Sequence, residues 1–153
     1  MRPILTPNAR THTDEADACH VIPARITGVI AVGATTAHNR RASFSNHGPC
    51  VSLFAPGVRI PGASAKNDVD EWGMTGTSAS VPLVAGELAS FVAGLVDVRS
   101  DVAVARFMAE RTDEHGVIDM ACADGDAACA ATTRRLLRPT SEPVGTSVLD
   151  AAA

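Results

Sequence analysis

The sequence predicts an α/β fold, a parallel sheet covered by helices, on three observations. Thr27 to Ala34 (TGVIAVGA) is a short Val/Ile run bounded by glycines, the pattern of a strand buried on both faces. Ser78 to Val96 is apolar on all sides with Glu87 as its single charge, the pattern of a helix in the middle of a protein. The chain is 46% hydrophobic but only 3% aromatic, so its core is built from Ala, Val, Leu and Ile, which suits tightly packed α/β layers. At 153 residues it accommodates one domain with a sizeable core and is too short for two ordinary ones.

Residues 1–18 are polar, lack a helical or strand period and carry Pro3 and Pro7, so they read as a poorly structured lead-in. The Thr27–Ala34 strand follows, then a polar turn from His38 to Arg41 and a turn-rich segment from Ala42 to Cys50. Val51 to Ala55 reads as a short strand, closed by the Pro56-Gly57 turn. Val58 to Ile60 allows another short strand before Pro61-Gly62 breaks it, and Ala63 to Met74 reads as a loop or hairpin. Thr77 is a credible N-cap for the long apolar helix, with Pro82 in or just past its first turn, where a missing N–H costs least. Ser100 can cap a second helix from Asp101 to Arg111, whose end charges suit the helix dipole. Residues 119–135 are Ala- and Asp-rich, with Cys122 and Cys129 enclosing a short loop. No internal repeat or low-complexity domain is present.

Charge and composition remove several classes of function. A net charge of −4, with no Lys/Arg cluster beyond two adjacent residues, gives no reason to expect nucleic acid. The pairs Arg40-Arg41 and Arg134-Arg135 read as solvated surface. Ala79 to Val96 contains Pro82 and Glu87 among many Ala, Gly and Ser residues, so a buried helix is a better reading than a membrane span. Met1 to Arg10 lacks the apolar region of a secretory signal. Four cysteines, Cys19, Cys50, Cys122 and Cys129, permit two disulfides in any of three pairings, or four free thiols. Their spacing does not fit zinc: there is neither a C-x-x-C nor a His-rich companion, so no metal is expected.

Gly76-Thr77-Ser78-Ala79-Ser80-Val81-Pro82-Leu83-Val84-Ala85-Gly86 joins a turn signal to the apolar helix with a hydroxyl at the junction. A serine at a helix start commonly belongs to a plain capping segment. It also has a backbone N–H among the unpaired donors of the helix N-terminus, which suits a nucleophile whose attack creates an oxyanion. The segment is not a G-x-S-x-G elbow, because Ser80 stands where the second glycine is needed.

This segment resembles the nucleophile segment G-T-S-M-A-x-P-H-V-A-G of the subtilisin-like serine peptidases, with Ala79, Ser80 and Leu83 replacing Met, Ala and His. Four other motifs, in order, resemble the proteinase K-like branch. Asp17-Ala18-Cys19-His20 with Pro23-Ala24-Arg25 is similar to D-A-C-N-Y-S-P-A-R, and Val29 to Thr35 to the V-x-V-G-A-T strand. Phe44 to Cys50 is similar to F-S-N-Y-G-x-C, and Phe54-Ala55-Pro56-Gly57 to F-A-P-G. The resemblance is close over residues 14–112 and looser beyond. It implies the C-terminal portion of a three-layer subtilisin-like fold over residues 14–150, with residues 1–13 a disordered, atypical lead-in. It also implies Ser78 at the nucleophile position, disulfides Cys19–Cys50 and Cys122–Cys129, protein or peptide substrates and an extracellular setting.

The resemblance is incomplete at the site. Serine needs a histidine to take its proton and an aspartate to orient that imidazole. The family's D-T/S-G and H-G-T-H motifs, which carry them before the serine, do not occur here. His12, His20, His38, His47 and His115 sit in other contexts; His20 and His47 replace an Asn and a Tyr and read as loop residues. The oxyanion asparagine falls at Thr13, with Asn8 nearby but off register, leaving the Ser78 backbone N–H as the remaining donor. No cofactor is expected: the branch has a calcium site, but Ser52 stands where its carboxylate belongs.

The chain thus reads as a truncated serine endopeptidase, inactive alone and prone to expose apolar surface. The alternatives are a non-catalytic peptide-binding or decoy module, and a fragment complemented by a second chain that brings the Asp and His.

Overall fold

The computed structural model describes residues 3–5, 17–67, 69–122 and 124–138. Strands β1 (Pro3–Leu5), β2 (Ile30–Thr35) and β3 (Leu53–Pro56) lie side by side and parallel. β4 (Ile60–Ala63) and β5 (Glu71–Met74) form a separate antiparallel hairpin. Helices α1 (Thr77–Ala93) and α2 (Ser100–Glu110) follow, then β6 (Thr112–Asp113), the short helix α3 (Ala127–Ala130) and β7 (Leu136–Leu137). β7 lies parallel to β3 and antiparallel to β6, giving a five-stranded sheet in the order β1-β2-β3-β7-β6.

The two central strands are buried on both faces, as their almost wholly apolar sequence requires. Ile30, Val32, Leu53 and Ala55 point to one side and pack with Val84 and Phe91 of α1 and Phe107 of α2. Phe91 and Phe107 meet edge to face at 5.8 Å between ring centroids. Ala31 and Phe54 point to the other side, against Ala18, Val51, Val117, Met120, Cys129 and Leu136. That second face is covered by loops around α3 and a 3-10 turn at Ala18–His20. Gly33 pairs with Phe54 across the ladder, and the Phe54 ring fills the space a Gly33 side chain would need.

Disulfides Cys19–Cys50 and Cys122–Cys129 tie these covering loops, the pairing the resemblance implied. A buried arginine ties them further. Arg41 is 3% exposed and donates through Nε to the Met120 carbonyl (2.6 Å), and through its Nη atoms to the carbonyls of Ser45 (2.6 Å) and Ala121 (3.3 Å). The sequence reading of Arg40-Arg41 as solvated therefore holds for Arg40 and fails for Arg41. The surrounding carbonyls satisfy a guanidinium that water would otherwise hydrate. Arg135 likewise turns inward, donating to the Met108 carbonyl (2.8 Å), Thr112 Oγ1 (3.0 Å) and Glu114 Oε1 (2.6 Å).

Other local expectations shift. Residues 3–5 form β1, which the reading of the lead-in as without strand period did not foresee. β4 runs through Pro61-Gly62 instead of ending there, because the hairpin has a free edge where a proline removes no ladder bond. Gly76, not Thr77, occupies the N-cap of α1, and Arg99, not Ser100, that of α2; neither side chain caps. α1 was expected to be covered all round. Among the described residues it is covered on one side, while Gly86, Ala89, Ser90, Val92 and Ala93 are exposed. Small residues there make exposure cheap. Among the described residues no helix is long and apolar enough to cross a membrane.

Candidate active site

Ser78 is the second residue of α1 and is exposed, while its neighbours Thr77, Ala79 and Ser80 are buried. The helix start is fixed by backbone bonds that cross the carboxyl ends of two parallel strands. The Gly57 N–H donates to the Thr35 carbonyl at the end of β2 (2.9 Å), and the Gly76 N–H donates to the Gly57 carbonyl (2.8 Å). Gly76 has φ 147°, a conformation that favours glycine, and its carbonyl accepts the Ala79 N–H (3.0 Å). The G-T-S turn thus aims one hydroxyl outward at a helix N-terminus, where backbone N–H groups and the dipole favour negative charge. The outer edge of a parallel sheet at its carboxyl ends is the usual place for a site in an α/β fold.

Beneath Ser78 the packing is tight and contains two buried hydroxyls. A side chain on Gly57 would meet Ser80 Oγ, the Ala34 Cβ (2.6 Å) and the Gly76 carbonyl oxygen (3.0 Å). Ser80 Oγ and Thr35 Oγ1 are buried with no hydrogen-bond partner among the described residues. Pro82, the sixth residue of the helix, lacks the N–H that would pair with the Ser78 carbonyl. The sequence reading marked Pro56-Gly57 only as a turn; the close contact with Ser80 becomes visible once the two segments are brought together.

Among the described residues, the other candidate site residues do not gather around Ser78. Thr13, His12 and Asn8 lie outside the described residues. Among the described residues no histidine is hydrogen-bonded to Ser78: His20, His38 and His115 are exposed in turns and loops. His47 is buried, and its Nε2 lies 3.1 Å from Asp126 Oδ2. A histidine held by an aspartate is thus present, but its imidazole belongs to the loop layer. Sequence reasoning treated His47 as an ordinary loop residue and did not foresee its partner, which lies far along the chain.

Ser52 Oγ accepts the Ala31 N–H (3.1 Å). That is a neutral oxygen engaged with the sheet, and the position does not fit the carboxylate a calcium ion would need.

A family model described as the Subtilase family matches residues 9–108. An extracellular serine proteinase of Thermus sp. (strain Rt41A) is 46% identical over 79 residues, which are 52% of this chain and 19% of that protein. Alkaline protease 2 of Aspergillus fumigatus is 44% identical over 81 residues, covering 52% of this chain and 16% of that protein. The crystal structure of a cold adapted subtilisin-like serine proteinase matches with a TM-score of 0.69 and 31% identity, over 90% of this chain and 44% of that one. The chain therefore spans less than half the length of that structure, and its aligned part is about a fifth or less of these curated relatives. A parallel sheet with an exposed Ser78 at a helix start over its carboxyl ends, both disulfides and a family match over most of the chain lead to one assignment: the chain belongs to the subtilase family, the subtilisin-like serine proteases.

Proposed function

We propose that this chain carries the nucleophile-bearing part of a serine endopeptidase and does not turn over alone. The observation that carries the reading is the exposure of Ser78 at the start of α1, over the carboxyl ends of β2 and β3. Ser78 Oγ attacks the scissile carbonyl of a protein or peptide substrate, and the Ser78 backbone N–H faces the developing oxyanion. An acyl-enzyme forms and water releases it. Acylation needs a base that takes the serine proton and passes it to the leaving amine, and deacylation one that takes the proton of water and returns it to Ser78 Oγ. The chain has neither the aspartate nor the histidine motif that supplies it. Thr13, at the position of the family's oxyanion asparagine, offers a poorer donor; losing such a donor costs ~10²–10³ in turnover. No cofactor takes part, and the two disulfides support an extracellular setting.

The test is labelling by a serine-reactive fluorophosphonate. The isolated chain is expected not to react; reaction at Ser78 there overturns the claim of inactivity. Adding a polypeptide that bears the Asp and His segments of a subtilisin-like relative is expected to restore labelling, and Ser78→Ala to abolish it. Labelling that survives Ser78→Ala places the nucleophile elsewhere.

A further inference from the structure

The loop layer holds a second cluster of reactive side chains, remote in chemistry from Ser78. His47 Nε2 stands 3.1 Å from Asp126 Oδ2, and the other carboxylate oxygen, Oδ1, accepts the Cys129 N–H (2.9 Å). The Asp126 carboxylate is thereby held between an imidazole and the cysteine's own backbone. One ligand atom from each of His47, Asp126 and Cys129 lies within 4.8 Å of the others. His47 Nδ1 is buried without a hydrogen-bond partner among the described residues, so nothing else fixes the ring's second nitrogen. A cleft of about 450 Å³, lined by Cys122, Asp124, Gly125, Asp126, Ala127 and Ala130, opens beside the cluster.

In the disulfide form Cys129 is bonded to Cys122 and offers no thiolate. Reduction changes that, and it adds Cys122 as a fourth donor at the same place. Ligand atoms around a tetrahedral zinc stand roughly 3.3–3.8 Å apart. The His47–Asp126 pair is already near that spacing, and the two sulfurs, joined in the disulfide, have to part to reach it. We propose that reduction of Cys122–Cys129 converts this cluster into a binding site for one zinc-like divalent cation, held by His47, Asp126, Cys122 and Cys129.

The electron and proton balance is simple. A phosphine reductant takes oxygen from water and is oxidised to its phosphine oxide. The S–S bond receives two electrons and two protons, giving two thiols. Zinc then displaces the two thiol protons and accepts the lone pair of neutral His47 and the Asp126 carboxylate. The 122–129 loop is consequently cross-linked in both states, by sulfur in oxidising surroundings and by the cation in reducing ones.

The whole chain, reduced with a phosphine, is treated with zinc alone and then alkylated, and the modified cysteines are mapped by mass. Expected is protection of Cys122 and Cys129 at one zinc per chain, with Cys19 and Cys50 alkylated. Cobalt in place of zinc is expected to show thiolate charge-transfer and tetrahedral ligand-field bands. His47→Gln and Asp126→Asn are each expected to weaken binding by at least ~10-fold. Equal alkylation with and without zinc, protection of Cys19 and Cys50 instead, or affinity indifferent to both substitutions overturns the proposal. Because the mapping needs no variant, a substituted chain that fails to fold leaves the test intact.

Discussion

The hydroxyl of Ser80 fills the space that a side chain on Gly57 would occupy. This contact joins the turn after β3 to the first turn of α1 and sets how far Ser78 stands from the sheet. Gly57→Ala is expected to push α1 outward or distort the turn, because two of the three nearest atoms belong to Ala34 and the Gly76 backbone. Overpacking of this kind costs about 1–3 kcal/mol, read as a lowered urea midpoint with the slope unchanged. An unchanged midpoint would show that the contact is slack.

Ser80→Ala is expected to act in the opposite direction. Its Oγ is buried without a partner among the described residues, so deleting it removes a desolvated polar atom and relieves the crowding at Gly57. A gain of about 1 kcal/mol is expected in the same unfolding measurement. A loss would mean that the hydroxyl has a partner in solution.

Arg41→Met should be far more costly than any change at Arg40. The buried guanidinium serves three backbone carbonyls, and its removal leaves them without a donor. The expected loss is on the order of 3 kcal/mol, against less than ~0.5 kcal/mol for Arg40→Met on the surface. Equal effects at the two positions would contradict the burial of Arg41.

The two disulfides should differ in weight. On the chain-entropy model, the 31-residue separation of Cys19 and Cys50 contributes roughly 3.7 kcal/mol, and the 7-residue separation of Cys122 and Cys129 roughly 2.5 kcal/mol. Paired serine substitutions, compared by thermal unfolding, are expected to keep that order. The reverse order would point to structure persisting in the unfolded chain.

At the start of α2, hydrogen bonds from Arg99 hold the Asp101 carboxyl below the usual carboxylate range. A lowered folded-state value means that the pair's contribution is present above the ordinary carboxylate range and is lost as pH falls through the lowered one. The pair is exposed, so its effect on stability is small and salt-sensitive. Titration of the Asp101 carboxyl by NMR is expected to give a depressed midpoint that Arg99→Gln raises. An ordinary midpoint in the parent chain would rule the interaction out.

What the sequence disclosed follows physical lines. Thr27 to Ala34 announced β2 because a strand buried on both faces must be largely apolar. Ala63 to Met74, read as a loop or hairpin, holds the second strand of the hairpin, whereas the breakers Pro61-Gly62 misplaced the end of the first. The serine at the start of α1 was legible from G-T-S followed by an apolar run; its exposure over the strand ends was not. β6 and β7 are two residues each, too short to show any period, and their pairing depends on distant partners. Arg41 was misjudged, and the burial and partner of His47 were unforeseen, for a related reason. A polar side chain enters a core only when tertiary neighbours satisfy it, and those neighbours, Met120, Ala121 and Asp126, are about eighty residues away. Helix starts slipped by one residue at Gly76 and Arg99 because backbone conformation, without a side-chain cap, defines them.

The position of β7 between β3 and β6 has a consequence for biogenesis. Phe54 waits for Leu136, so one flank of β3 stays unpaired while some eighty further residues are made. A ribosome-bound chain halted before Leu136 emerges is left with an open, apolar strand edge. Such an edge is exposed to mispairing until β7, the last strand among the described residues, covers the second flank of β3.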